Sequence, residues 1–234
     1  MTSIAVVGAS GYVGDALCKT LQKNTNFAVK TVTRENYEES KDQFFDILIN
    51  TAMPSGRFWA RNNPAKDFEE TVIKTAGLVY KWKFGKFIQI STVSARCQLD
   101  TVYGRNKAAA EDICGYGNNL IVRLGPMYSK NLSKGVLIDM LHGKKVFIDG
   151  RSKYCFTPLE FVASWIASNL ECSGIKEVGS RNAVPLQEIA KYLGVNIDFE
   201  GMIDHQEIQN PDYNYPDARN VFSFLDELRK SNLI

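Results

Sequence analysis

Two tyrosines in this 234-residue chain stand four positions before a lysine: Tyr103 before Lys107, and Tyr37 before Lys41. A phenol with its ordinary pKa near ~10 is a poor proton-transfer group at neutral pH. An ammonium one helical turn away lies on the same face and favours the phenolate. The spacing thus specifies a chemistry, general acid/base work at a hydroxyl or ketone, without saying which pair performs it. Neighbours discriminate between them. Upstream of Tyr103 the run FIQIST ends in Ser91 and Thr92, hydroxyls that could hold a substrate oxygen beside the phenol. Tyr37 and Lys41 lie in the polar connection EESKDQ without such company, and a solvated surface role is expected for them.

A second constellation opens the chain. The β-branched run SIAVV breaks into GASGYVG and then into DALCKTLQK, with Gly8, Gly11 and Gly14 at three-residue spacing. Between a strand and a helix the first glycine permits the turn, the second admits a pyrophosphate, and the third lets helix and strand pack closely. Unpaired N–H groups at the helix start then face the phosphates. Ser10, Tyr12 and Val13 fall within this turn and are expected to line the same dinucleotide. After the second strand the chain reads VTRENY, so Arg34 stands where an arginine would accommodate the 2′-phosphate of NADP. Glu35 beside it is the argument for NAD, and NADP is favoured.

These residues need a sheet to position them. Strands are expected at 28–33, 46–52, 87–92 and 119–125, alternating with helices that include one from about 64 to 82 opened by Pro64. Strands alternating with helices imply parallel βαβ units, hence a Rossmann-type doubly wound α/β sheet. The texture changes near residue 145, which suggests a nucleotide-binding domain over 1–148 and a reduced substrate-binding lobe over 149–234. Trp59, Trp82 and Trp165 are expected to be packing residues.

Composition excludes other classes. A formal net charge of +2 offers no bulk attraction to nucleic acid or an acidic membrane. No apolar run approaches ~18 residues and no leader precedes the first strand. Five cysteines without a C-x-x-C suit free thiols in a reducing compartment, and two histidines without cysteine or carboxylate at ligand spacing give no metal site. A cytoplasmic protein is expected.

GASGYVG, ILINTA, FIQISTVSA, VYGRNKAAAED and IVRLGPMYS, in that order, resemble the extended short-chain dehydrogenases/reductases, the group of nucleotide-sugar epimerases, dehydratases and reductases. FTPLEFVASWI, KEVGS and PLQEIAKYLG continue the resemblance through most of the chain. It implies that Tyr103 exchanges a proton with a sugar hydroxyl or ketone, that Lys107 lowers its pKa and holds the nicotinamide ribose, and that Thr92 bonds the same substrate oxygen. It further places Thr51, Ala52 and Met53 along the cofactor. A homodimer through the helices at about 64–82 and 103–114 is also implied.

Three departures matter. Val93 and Ser94 stand where the dehydratase branch carries Asp-Glu, which argues against elimination of water. About a dozen residues separate the second strand from DILINTA, so the adenine-side edge of the sheet is expected to be abbreviated. The loop from Thr92 to Tyr103 and the carboxyl lobe are short, which leaves the sugar open. Position suggests Ser91, Met127, Arg151 and Lys153 as substrate contacts, with Pro126 and Tyr128 at a pocket floor and Arg123 either structural or aimed at the pocket. The leading expectation is an NADP-dependent reductase or epimerase of a nucleotide-linked sugar. The alternatives are an epimerase that retains NAD and a non-catalytic NADP-binding sensor or scaffold.

Overall fold

The computed structural model of the protein describes residues 1–230. In chain order its elements begin β1 (Thr2–Val7), α1 (Tyr12–Leu21), β2 (Phe27–Val32), α2 (Tyr37–Lys41), β3 (Phe44–Asn50), α3 (Arg57–Asn62) and α4 (Pro64–Phe68). A π-helical turn (Glu69–Ile73) runs into α5 (Lys74–Lys81), followed by β4 (Lys83–Thr92), α6 (Ser94–Cys97), α7 (Val102–Cys114) and β5 (Leu120–Leu124). Then come β6 (Met127–Tyr128), α8 (Val136–Leu141), β7 (Lys153–Tyr154), β8 (Thr157–Pro158), α9 (Leu159–Ser168) and β9 (Gly174–Val178). The last are β10 (Val184–Pro185), α10 (Leu186–Leu193) and α11 (Asn220–Lys230).

The main sheet has the order β2-β1-β3-β4-β5-β9, and β1 to β5 pair in parallel. This is the expected doubly wound sheet. Ile4 to Val7 are all buried, as a strand covered on both faces requires. Beneath one face Ala5, Val7, Leu48, Phe87 and Ile121 pack with Leu78, Val79 and Trp82. Only α2 intervenes between β2 and β3, and β2 ends the sheet, so the edge is abbreviated as expected. Among the described residues no helix is long and apolar enough to cross a membrane.

Two compact units divide the chain, Met1–Leu124 with Ala163–Lys176, and Gly125–Val162 with Glu177 onward. The expected boundary at 148/149 is therefore corrected. Directly after β5 the Gly125 amide donates to the Val178 carbonyl at 2.9 Å, inside the second unit. The returning segment is held to the first unit by Lys86 Nζ on the Cys172 carbonyl (2.7 Å) and the Gly174 amide on the Asn119 carbonyl (2.9 Å). The second unit has its own core, with Tyr154, Phe156, Leu186, Ile189, Val221 and Leu225 buried together.

Two further expectations are corrected. Trp82 is buried, but Trp59 is 38% exposed and is no packing residue. Tyr37 is not a solvated surface residue, because its ring meets Trp82 edge-on at 5.1 Å. Its partner Lys41 lies 3.7 Å from Glu38, an exposed pairing of little energetic weight.

Candidate active site

Parallel strands end together, so β1, β3 and β4 deliver their last residues to one edge of the first unit. Gly8 follows β1 with a φ of +84°, a left-handed conformation that a side chain disfavours. A Cβ on Gly8 would lie 2.7 Å from the Ala52 Cα, and one on Gly14 would lie 2.2 Å from the Gly8 carbonyl oxygen and 2.7 Å from Thr51 Oγ1. The turn and the end of β3 thus interlock. Thr51 Oγ1 donates to the Val7 carbonyl at 2.7 Å, and the Ala52 amide donates to Asn50 Oδ1 at 3.0 Å. Asn50 Nδ2 donates to Gln89 Oε1 at 3.1 Å, and Gln89 Nε2 reaches Met53 Sδ at 3.0 Å. Helix α1 starts at Tyr12 and Val13 with Gly11 as N-cap, a residue with no side chain to cap its first turn. Ser10 and Arg34 are exposed.

Thr92 closes β4, and the short α6 returns the chain to α7. There the Gly104 amide donates to Thr101 Oγ1 at 2.9 Å, capping the helix. Gly104 is obligatory: a Cβ would stand 2.0 Å from the Gln98 carbonyl oxygen. This close approach fixes Tyr103 one residue earlier, where the Thr92 side chain acts on its phenol. Lys107 Nζ lies 5.2 Å from the centre of the Tyr103 ring. Both residues are buried.

Burial pushes Tyr103 up to about 12, against the downward pull of the Arg57 guanidinium and the Thr92 hydrogen bond, while Asp67 adds to the rise. Burial pushes Lys107 down to about 7, opposed by the carboxylates of Asp67 and Glu111. Near neutral pH the phenol therefore carries its proton, and the arrangement suits a donor. The cation acting on Tyr103 is Arg57 at the start of α3. Neither Arg57 nor Asp67 carried a sequence signal, because each lies in a different helix and only packing against α7 gathers them. The MPSGR run from Met53 to Arg57 was the nearest available hint.

The candidate substrate contacts fare differently. Successive strand residues face opposite ways. Ser91 accordingly turns from Thr92 and donates to Glu111 Oε1 at 2.5 Å. Arg123 meets the same carboxylate through Nε at 3.0 Å and a terminal nitrogen at 2.6 Å, so this buried cluster is structural. Met127, Arg151 and Lys153 belong to the second unit. There Met127 pairs with Thr157, and Arg151 forks onto Asp149 at 2.6 to 3.2 Å. Lys153 is exposed and its amide donates to His205 Nδ1 at 3.1 Å.

No family model matches the sequence, and no curated protein matches it. Solved structures do match. A dTDP-4-dehydrorhamnose reductase from Bacillus anthracis, solved in complex with NADP, is 15% identical, with a TM-score of 0.74 over 97% of this chain and 99% of that one. A UDP-glucuronic acid 4-epimerase from Bacillus cereus, in complex with NAD, is 17% identical, with a TM-score of 0.71 over 98% of both chains. TunA, an NAD-dependent NDP-hexosamine 5,6-dehydratase of tunicamycin biosynthesis, is 12% identical, with a TM-score of 0.79 over 99% of both. Such likeness at low identity, over nearly the full length of each chain, establishes a shared Rossmann-type fold.

Proposed function

We propose that the chain is an NADP-dependent oxidoreductase of a nucleotide-linked sugar, working as a reductase or epimerase. The observation that carries the reading is the buried Tyr103 with the Lys107 ammonium 5.2 Å from its ring centre, next to Thr92 at the carboxyl end of β4 in a parallel sheet. The residues present fit a dinucleotide. Gly8, Gly11 and Gly14 let the turn close tightly against Thr51 and Ala52, and the N-terminal end of α1 behind it favours the charge of a pyrophosphate. Arg34 is exposed and makes no hydrogen bond or ion pair among the described residues, so its charge is available to a 2′-phosphate. Glu35 is engaged by Thr33 Oγ1 at 2.7 Å.

When bound, the nicotinamide supplies or accepts the hydride. Thr92 and Tyr103 hold the substrate oxygen, and the neutral phenol of Tyr103 donates its proton to that oxygen as the carbonyl is reduced. Lys107 holds the ribose and stabilises the phenolate left behind. Val93 and Ser94 offer no acid/base pair for elimination, which speaks against a dehydratase.

The proposal extends to a cytoplasmic homodimer. Five free thiols, three of them buried, suit a reducing compartment. Helices α3 to α5 expose Phe58, Phe68, Ile73 and Tyr80, apolar area that a second copy would cover. The test is to identify the nucleotide released from purified protein and assay NADPH oxidation against a panel of nucleotide-linked ketosugars. Exchangeable NADPH with turnover supports the reading. Tightly held NAD without net redox change transfers it to an epimerase, and nucleotide binding without any turnover leaves a non-catalytic binder.

A further inference from the structure

Asp67 is fully buried in α4. Its Oδ2 accepts from Asn106 Nδ2 at 2.7 Å, while Oδ1 has no hydrogen-bond partner. A buried carboxylate with unused acceptor capacity is costly unless a nearby charge compensates it. Tyr103, Asn106 and Lys107 lie at i, i+3 and i+4 of α7 and share a face, so the anchor brings the Asp67 carboxylate to the face that carries the pair, and its charge raises the pKa of Lys107.

The surrounding charges are otherwise engaged. Glu111, the other carboxylate acting on Lys107, is bound by Ser91 and Arg123. On the π-helical turn Glu69 and Glu70 pair with Lys66 and Lys74, and on β4 Lys86 donates to the Cys172 carbonyl. Arg57 of α3 acts on Tyr103, with sign opposite to Asp67. Arg96 of α6 and Lys81 of α5 are absent from the charges that act on either member of the pair.

We propose that Asp67 is a positioning residue whose anchored carboxylate keeps both protons in place, the phenolic one on Tyr103 and the ammonium one on Lys107. A single buried negative charge anchored on the face they share favours the protonated form of each. The phenol thereby still holds, before the reaction, the proton that reduction of a carbonyl requires it to give. The catalytic meaning rests on the function proposed above; the charge coupling does not.

The test reads the coupling without substrate. The Lys107 side chain is titrated in the cofactor-free protein through its ε-carbon NMR signal, assigned with a Lys107→Arg variant. Asp67→Asn should lower the midpoint by about one pH unit, a tenfold change in the protonation constant, and Asp67→Glu should restore most of it. Should Asp67→Asn fail to fold, Asn106→Ala removes only the anchor and should move the midpoint the same way by less. A midpoint within about 0.2 units of the parent in whichever of these variants folds overturns the proposal. If turnover is found, the alkaline limb of its pH profile should follow the same shift. A shifted midpoint in a protein that turns nothing over would retain the coupling and discard the enzyme reading.

Discussion

The Lys107 ammonium lies 5.2 Å from the centre of the Tyr103 ring, and both side chains are buried. In the proposed reaction that contact would set the ammonium against the phenol as its proton leaves. Tyr103→Phe keeps the ring that packs there and removes only the transferable proton. Turnover should fall by about 10² to 10⁴, the usual worth of a positioned acid, while the dissociation constant for NADPH changes little. Parallel kinetics and calorimetry check this, and undiminished turnover would remove Tyr103 from the chemistry.

Gly14 lets the first helix approach the first strand more closely than a side chain permits. In Gly14→Ala the new methyl would begin 2.2 Å from the Gly8 carbonyl oxygen, and that atom belongs to backbone tied at 2.9 Å to the Gly11 amide. Overpacking of this kind costs about 1–3 kcal/mol. The variant should unfold at lower denaturant and lose nucleotide affinity, whereas alanine at Gly77, with open space around it, should do neither.

In the proposed nucleotide site Arg34 is the charge that would distinguish the two cofactors. Arg34→Asp should weaken NADP binding by roughly ten- to a hundredfold, the worth of a charged hydrogen bond at about 1.5–3 kcal/mol, and leave NAD binding equal or tighter. Competitive titration with the two nucleotides decides it; an equal loss for both would place Arg34 outside the ribose site.

The parallel α/β sheet and the glycine turn were legible because their signals are local, alternating elements and a fixed three-residue spacing. The pairing of Thr92 with Tyr103 was legible only through the order of motifs, since nothing in VSARCQLDTV announces that Gly104 must press against the Gln98 carbonyl. Strand alternation was enough to separate Ser91 from Thr92, but treating the dipeptide as one hydroxyl cluster hid it. Arg57 and Asp67 were beyond reach, because their meaning comes from packing against α7 and not from spacing. The unit boundary was misplaced for the same reason: the return of Ala163–Lys176 to the first unit leaves no compositional break.

Lys107 also makes stability depend on pH. Its pKa in the folded chain is depressed to about 7, below the ~10.4 of an unfolded lysine. Between those values the unfolded chain holds a proton that the folded one lacks, so stability rises with pH across the window. Below it both states carry the proton, and the folded state bears the full cost of a buried ammonium. Above about pH 10 the raised Tyr103 works the other way, because the unfolded phenol ionises first. Lys107→Met replaces the charged head with apolar volume and removes the dependence at its source. Without cofactor the variant should be more stable than the parent at pH 6, by on the order of a few kcal/mol, and the advantage should shrink steadily toward pH 9. Denaturant midpoints at intervals across that range measure the difference. Parallel curves for parent and variant would mean that the lysine finds water or a partner that spares it the burial.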